Sequence, residues 1–422
     1  MNLRPLRPLS IATLSCICIV LLTGCATTVG PELIVNSHIE YNKAITQVIN
    51  EELLLNIVRR RYYEAPQFVT VESISTRLSN SRNMSIGTSL DDDIDFAGAA
   101  IDGEISFLDS PSVTLTPRAG EEIAGPLTAR MSHSSIGKLA NAGYRFDMLL
   151  ALMVETLTNV RGPQTGVGDG FRSGSEEYVE LITRIGSLVD RNELVAGTFR
   201  YDDPYSDIPY TRDQITPENQ ISVVALGDGK GRYRSFDGGE SYYFTDKGMY
   251  AAMWIPEEAR HEGDGKRVLE LLNLDPDPLK KIWKFDASKV IDGADLNWKK
   301  DEARSSVTMQ VRSFYSLMNF LAYGVQVPPE EEEEGRAFSK EDYNRAVQEG
   351  KSLDLADYFV VNWSHQRPKD ASVAVRHRNK WFYVDDRDYV SKRFFNAVYD
   401  LFNLEIATSG GSSGPVLTLP VN

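Results

Sequence analysis

Five histidines, three cysteines and several dense acidic runs hold most of the chemistry open to this 422-residue chain. His38, His133, His261, His365 and His377 form neither H-x-x-x-H nor H-x-H, the local spacings that bring two imidazoles onto one zinc ion. Ser132, His133, Ser134 and Ser135 set hydroxyls beside an imidazole, but a nucleophile and its base are brought together by the fold and not by adjacency. No G-x-S-x-G elbow accompanies them, so Ser132 reads as a helix cap. Asp91, Asp92, Asp93 and Asp95 lack the glycine and distal glutamate of an EF-hand loop and read as a solvated turn. GDGKGR, beginning at Gly227, lacks the phosphate-loop spacing and reads as a hairpin turn. Trp254, Trp283, Trp298, Trp363 and Trp381 could line a sugar groove, but partial burial in the core is the ordinary account of each. No catalytic residue, cofactor site or metal site is therefore assigned.

The cysteines carry the sharper signal. Arg4 and Arg7 precede an apolar stretch, 9–22, of about 14 residues, short of the roughly 20 needed to span a bilayer. With small residues at its end, this is the pattern of a secretory signal peptide. Its close, Leu22-Thr23-Gly24-Cys25, resembles the bacterial lipobox, in which the sulfur takes a diacylglycerol, the chain is cut before the cysteine and the new amino group is acylated. Cys25 is thus the expected lipidation site and 1–24 the removed segment. Cys16 and Cys18 leave with it, so the mature chain would hold no free thiol and no disulfide. Several acyl chains on one residue meet the requirement for stable anchoring. By the lipoprotein sorting rule, Ala26 after the cysteine implies the inner leaflet of the outer membrane, facing the periplasm.

Charge narrows the partners. Removing Arg4 and Arg7 from the 45 Lys and Arg leaves 43 against 60 Asp and Glu, a net charge of −17. Such a surface repels phosphate backbones, which argues against nucleic acid as a partner. The expected contacts are membrane lipid, through acylated Cys25, and an envelope protein.

The elements expected to position all this are helices and short strands. Residues 25–36 read as a tether, and Ser37 with Glu40 as a capping box opening a helix buried on a wide face. Arg59, Arg60 and Arg61 fall in its last turn, where they complement the helix dipole and pair at the surface; an anionic partner is the other reading. A strand is expected at 67–74, hairpins or a loop at 80–110 and a proline-bracketed edge strand at 111–117. Phe146, Leu149, Leu150, Met153, Val154 and Leu157 follow helical spacing, as do Tyr178, Leu181, Ile182, Ile185 and Leu188 after the cap at Ser175. Strands are expected at 221–226, 240–245, 250–255 and 306–313, then a helix at 314–325. PPEEEEEG, 328–335, reads as a solvated acidic loop because five adjacent glutamates repel one another. A hairpin at 371–385, a helix at 388–403, a flexible GGSSG-containing stretch at 409–414 and a strand at 415–420 end the chain. These elements make an α+β fold, amphipathic helices on a mainly antiparallel sheet, in two compact units: a helix-rich 37–198 and a strand-rich 199–422.

The blocks EELLLNIVRRRYYEAPQF, PSVTLTPRAGEE, DDRDYVSKRFF and PVLTLP, together with the lipobox, resemble a family of uncharacterised bacterial lipoproteins. The resemblance implies a periplasm-facing lipoprotein and carries no activity and no catalytic residues. A non-enzymatic binding or assembly role is expected. The alternative is a glycan or peptidoglycan hydrolase whose paired carboxylates come from separate segments.

Overall fold

A computed structural model of the chain describes residues 29–88, 99–117, 121–166, 170–204, 209–226, 231–278, 280–287, 305–407 and 416–418. Cys25, the acidic run at 91–95, Trp298, most of the GDGKGR stretch expected to be a hairpin turn and the 409–414 stretch lie outside them. By its contacts the chain divides into Met1–Leu53 and Leu54–Asn422. Among the described residues no helix is long and apolar enough to cross a membrane.

The first helix corrects three expectations. It runs Val29–Arg61, so Ser37 lies inside it and much of the expected 25–36 tether is helical. Glu40–Lys43 and Gln47–Glu51 pairs lie along its surface. The wide buried face is confined to the end: Ile39 and Val48 are 47% and 50% exposed, whereas Leu54, Ile57 and Val58 are fully buried. Buried Asn56 then fixes the exit of the chain, donating to the Gln67 carbonyl at 2.8 Å and accepting from its N–H at 2.9 Å.

From there the chain enters a long antiparallel hairpin, Val69–Thr88 with Ala99–Pro117. Its first strand is flanked in parallel by Val416–Thr418. Of the two readings of 80–110, hairpins or a loop, the described part forms a hairpin, but a single one whose long strands take in the separate strands expected at 67–74 and 111–117.

The fold is α+β, and its main sheet has seven strands. In spatial order these are Val160–Arg161, Val154–Leu157, Ser306–Val311, Trp283–Ala287, Tyr243–Trp254 and Val195–Pro204, with Arg232–Arg234 also on Tyr243–Trp254. Only Trp283–Ala287 and Ser306–Val311 pair in parallel. This sheet takes strands from both sides of residue 198, where the sequence placed a division. Helix Phe146–Met153 and helix Glu176–Asp190 pack beside it; Phe146 stacks on Phe285 of the sheet with centroids 5.5 Å apart. The Tyr178 hydroxyl donates to the Leu150 and Val154 carbonyls across that contact. Helix His133–Asn141, capped by Ser132 as expected, lies close on the sheet because Gly137 has no side chain. A Cβ there would come within 2.8 Å of Ala251 Cβ.

Three further readings need correction. Val154 and Leu157 are not helical. The helix stops at Met153, because Val154–Leu157 pairs with Ser306–Val311 and satisfies its backbone in the sheet. Residues 221–226 belong to helix Pro217–Leu226, started by Pro217 and by Thr216, whose hydroxyl accepts from Asn219 N–H. The acidic loop 328–335 instead holds a one-turn helix, Pro329–Glu333, with Glu331 buried.

Candidate binding cleft

The polar cluster begins where helix Phe146–Met153 turns into strand Val154–Leu157, which brings Glu155 beneath a cleft of about 540 Å³. A bulge between Gln310 and Val311 shifts the neighbouring strand at this point, and such irregularities re-aim side chains beside functional sites. Arg312, just past that strand, is tied down at both backbone ends: its N–H donates to Met153 O at 2.7 Å and its carbonyl accepts from Met131 N–H at 3.0 Å. Ser313 then caps helix Phe314–Leu321, accepting from Ser316 N–H, and this sets Ser316 over the glutamate.

Glu155 is held on every side. Ser316 Oγ donates to its Oε1 at 2.9 Å, while Gln310 Nε2 and Arg130 Nη1 donate to Oε2 at 3.0 and 3.3 Å. Below it lies Arg312, fully buried, with Nη1 3.8 Å from Oε1, Nη2 donating to Pro163 O and the guanidinium 4.4 Å from the Phe320 ring centroid. Its Nε and Nη1 make no hydrogen bond among the described residues. Burial pushes this guanidinium below its ordinary pKa, opposed by the Tyr178 hydroxyl and Glu155.

A small hairpin, Gln164–Thr165 with Phe171–Arg172, forms the lip. Thr165 Oγ1 donates to Ser316 O, and Phe171 anchors the other strand by edge contacts with Tyr323 and Tyr343. Arg172 lines the cleft and has no ion-pair partner among the described residues. One carboxylate and two guanidiniums, Arg130 and Arg172, thus line the cleft, with Arg312 buried next to Glu155, in a chain of net charge −15. The arrangement can hold a polar or anionic group, because Glu155 is already occupied as an acceptor and Arg172 remains available as a fork of donors.

A second cleft, of about 640 Å³, includes Arg161, Glu177, Arg267 and Glu270. Arg267 pairs with Glu180 and Glu270, and Glu177, at the start of helix Glu176–Asp190, is held below the usual carboxylate range by backbone N–H and Ser175.

The residues singled out in the sequence lie elsewhere. His133 is half-buried, His261 faces Asp277 at 3.6 Å, His365 stands edge-on to Trp363, and His377 Nε2 is 3.2 Å from Glu64 Oε2. No group of three possible metal ligands occurs among the described residues. Of the tryptophans, Trp283 is fully buried and donates to Asp275 O, and Trp254, Trp363 and Trp381 are partly buried, in keeping with the core reading.

The arginine triplet and the glutamate run, read separately as surface charge, meet in the interior. Arg61, fully buried, pairs with Glu332 at 2.7 Å, donates to the Phe338 carbonyl and stacks on the Phe338 ring. Glu331 accepts from Tyr62 and from Lys380, both at 2.5 Å, and Arg60 donates to Asn319 at 2.7 Å. Burial would raise the Glu331 carboxyl, but these donors outweigh it and hold it below its ordinary value. Each buried charge has a partner, the condition under which such charges are tolerated. Surface pairing is therefore the wrong description of Arg60 and Arg61. This cluster locks the end of the first helix to the C-terminal hairpin.

Comparison with known proteins finds no family model, no curated protein and no solved structure that matches this chain.

Proposed function

We propose that this chain is an acylated bacterial envelope lipoprotein, held through Cys25 in the inner leaflet of the outer membrane, whose periplasmic body binds an envelope partner and does not catalyse a reaction. The run of basic, apolar and small residues up to Cys25 supports the anchor. The observation that carries the binding role is the cleft over Glu155: Ser316, Gln310 and Arg130 all donate to its one carboxylate, while Arg172 stays open to a ligand.

Glycan hydrolysis fits this geometry poorly. It needs a second carboxyl roughly 5–9.5 Å away, one of the two with a raised pKa. The Glu155 cleft has no second carboxylate among its described lining residues. In the other cleft Glu270 is paired with Arg267, and Glu177 is shifted downward, the wrong direction for a general acid.

Two measurements test the proposal. Cys25→Ala is expected to leave the precursor uncut and without acyl label; unchanged labelling would refute the anchor. Crosslinking with mass spectrometry on native membranes is expected to recover a partner through the Gln164–Arg172 lip, and Arg172→Glu to abolish that crosslink. Recovery of no partner, or an unaffected crosslink, would count against the cleft as the binding surface.

A further inference from the structure

The hairpin of Val69–Thr88 and Ala99–Pro117 pairs along its whole length, Thr88 opposite Ala99 at one end and Val69 opposite Pro117 at the other. At about 3.4 Å per residue the ribbon is about 65 Å long, where most strands run to about 20 Å. Register and the two-residue period sort its residues into two faces. One face pairs Ile86 with Ile101, Ile74 with Val113 and Val71 with Leu115. The other pairs Ser85 with Asp102, Ser81 with Ser106 and Ser75 with Ser112. Asn80, Arg82 and Asp109 interrupt the apolar face.

Among the described residues, only Val416–Thr418 pairs with an outer edge of this ribbon, and only at Ser73, Ile74 and Ser75. A two-stranded ribbon with long open edges and one apolar face is unstable alone in water and is a template for further strands. The strand that satisfies both edges at once is the same hairpin from another copy, since head-to-tail repetition sets the first strand of one beside the second strand of the next and can close on itself. Closure puts one face inside and the other outside. An apolar exterior, a polar interior and no open edge are what allow a sheet to cross a bilayer, and strands of 19 and 20 residues exceed the roughly 10 required.

We propose that the hairpins of several copies of this chain join edge to edge into a β-barrel in the membrane, with the apolar face toward lipid and the serine-rich face toward an aqueous interior. The inference rests on the anchored reading above, because the acyl chains at Cys25 bring the hairpin to the bilayer.

The test uses the acylated full chain, in which Cys25 is the one remaining cysteine and is blocked by lipid. Light scattering in detergent is expected to give a particle of several copies, and the reconstituted protein to conduct ions across a planar bilayer. In proteoliposomes, Ser81→Cys, Asn83→Cys and Ser85→Cys are expected to react with a water-soluble maleimide, with loss of labelling at Met84→Cys, Ile86→Cys and Ile105→Cys. A single-copy particle, or equal labelling of both sets, overturns the barrel. If Cys25 still carries acyl label when that happens, only the barrel fails; loss of the acyl label refutes the anchored reading itself.

Discussion

Glu155→Gln removes one charge from the cleft at almost constant volume, and the cost can be worked from the geometry. Arg312 Nη1 stands 3.8 Å from Glu155 Oε1, and both groups are buried or nearly so. At that distance Coulomb's law with an effective dielectric near 20 gives about 4 kcal/mol. This agrees with the roughly 3–5 kcal/mol lost when one partner of a buried ion pair is removed. Arg130 adds about 1 kcal/mol at most, because its side chain is 46% exposed. The glutamine also puts an NH₂ group where Glu155 now offers an acceptor, either to Ser316 or to Gln310 and Arg130. The expected loss is about 3–4 kcal/mol. With a urea m value of about 3 kcal/mol/M, the midpoint falls by about 1 M while m stays unchanged. Tryptophan fluorescence follows the transition, since Trp283 is fully buried and is released on unfolding. Arg312→Met should be costly alone but cheap in the Glu155→Gln background, because the charge it removes has already lost its counter-charge. A Glu155→Gln loss below about 1 kcal/mol, or costs that simply add, would refute the claim that Glu155 compensates Arg312.

Arg61→Ala strips Glu332, the Phe338 carbonyl and the Phe338 ring of their common partner, and urea titration should show a loss of about 3–5 kcal/mol. Lys340 is half-buried, and its desolvation, with the Arg61 charge nearby, pushes its pKa down to about 8 from an ordinary 10.5. A depressed folded value means that stability is gained as pH rises from about 8 to 10.5 and is absent at pH 7, by up to about 3 kcal/mol. Lys340→Met should therefore stabilise the chain at pH 7 and flatten that rise in thermal melts across the same range. Gly137→Ala sets a helix-propensity gain of about 1 kcal/mol against overpacking of about 1–3 kcal/mol. With Ala251 Cβ 2.8 Å away and the Gly197 carbonyl at 3.1 Å, overpacking should win, read as a lower melting temperature.

Parts of the fold were legible because local signals agreed with one another. Helix Glu176–Asp190 has two glutamates in its first turn and one apolar stripe, and it forms over the span read, although the Ser175 side chain makes no capping hydrogen bond. Asp388 accepts from Ser391 N–H and starts helix Tyr389–Phe402. The hairpin at 371–385 turns through Arg378 and Asn379, both with positive φ, close to the Asn379-Lys380 turn that was expected. Elsewhere the local signals were ambiguous. Val154 and Leu157 sit at helical spacing from Phe146, and only the strand beside them makes that segment extended.

The candidate site was less visible, for a physical reason. Glu155, Arg312, Ser316, Arg130 and Arg172 come from four stretches of chain, and none carries a mark that separates it from any other polar residue. A faint clue was Arg312 placed between a strand pattern and an apolar helix, where a charge must be buried or must end the element. The same holds for the arginines at 59–61 and the glutamates at 330–334, whose opposite charges were plain in the sequence but whose meeting depends on contacts 271 residues apart.

The sequence by itself determined what depends on neighbours along the chain: the acidic balance, the helix starts at Ser132 and Asp388, and the apolar stripe of helix Glu176–Asp190. Tertiary structure alone decided which charges are buried, that Glu155 is a bound acceptor beside a hidden guanidinium, and that Glu331 of the glutamate run is interior. Burial and pairing belong to groups brought together by the packed core, and spacing along a chain carries no distance through space.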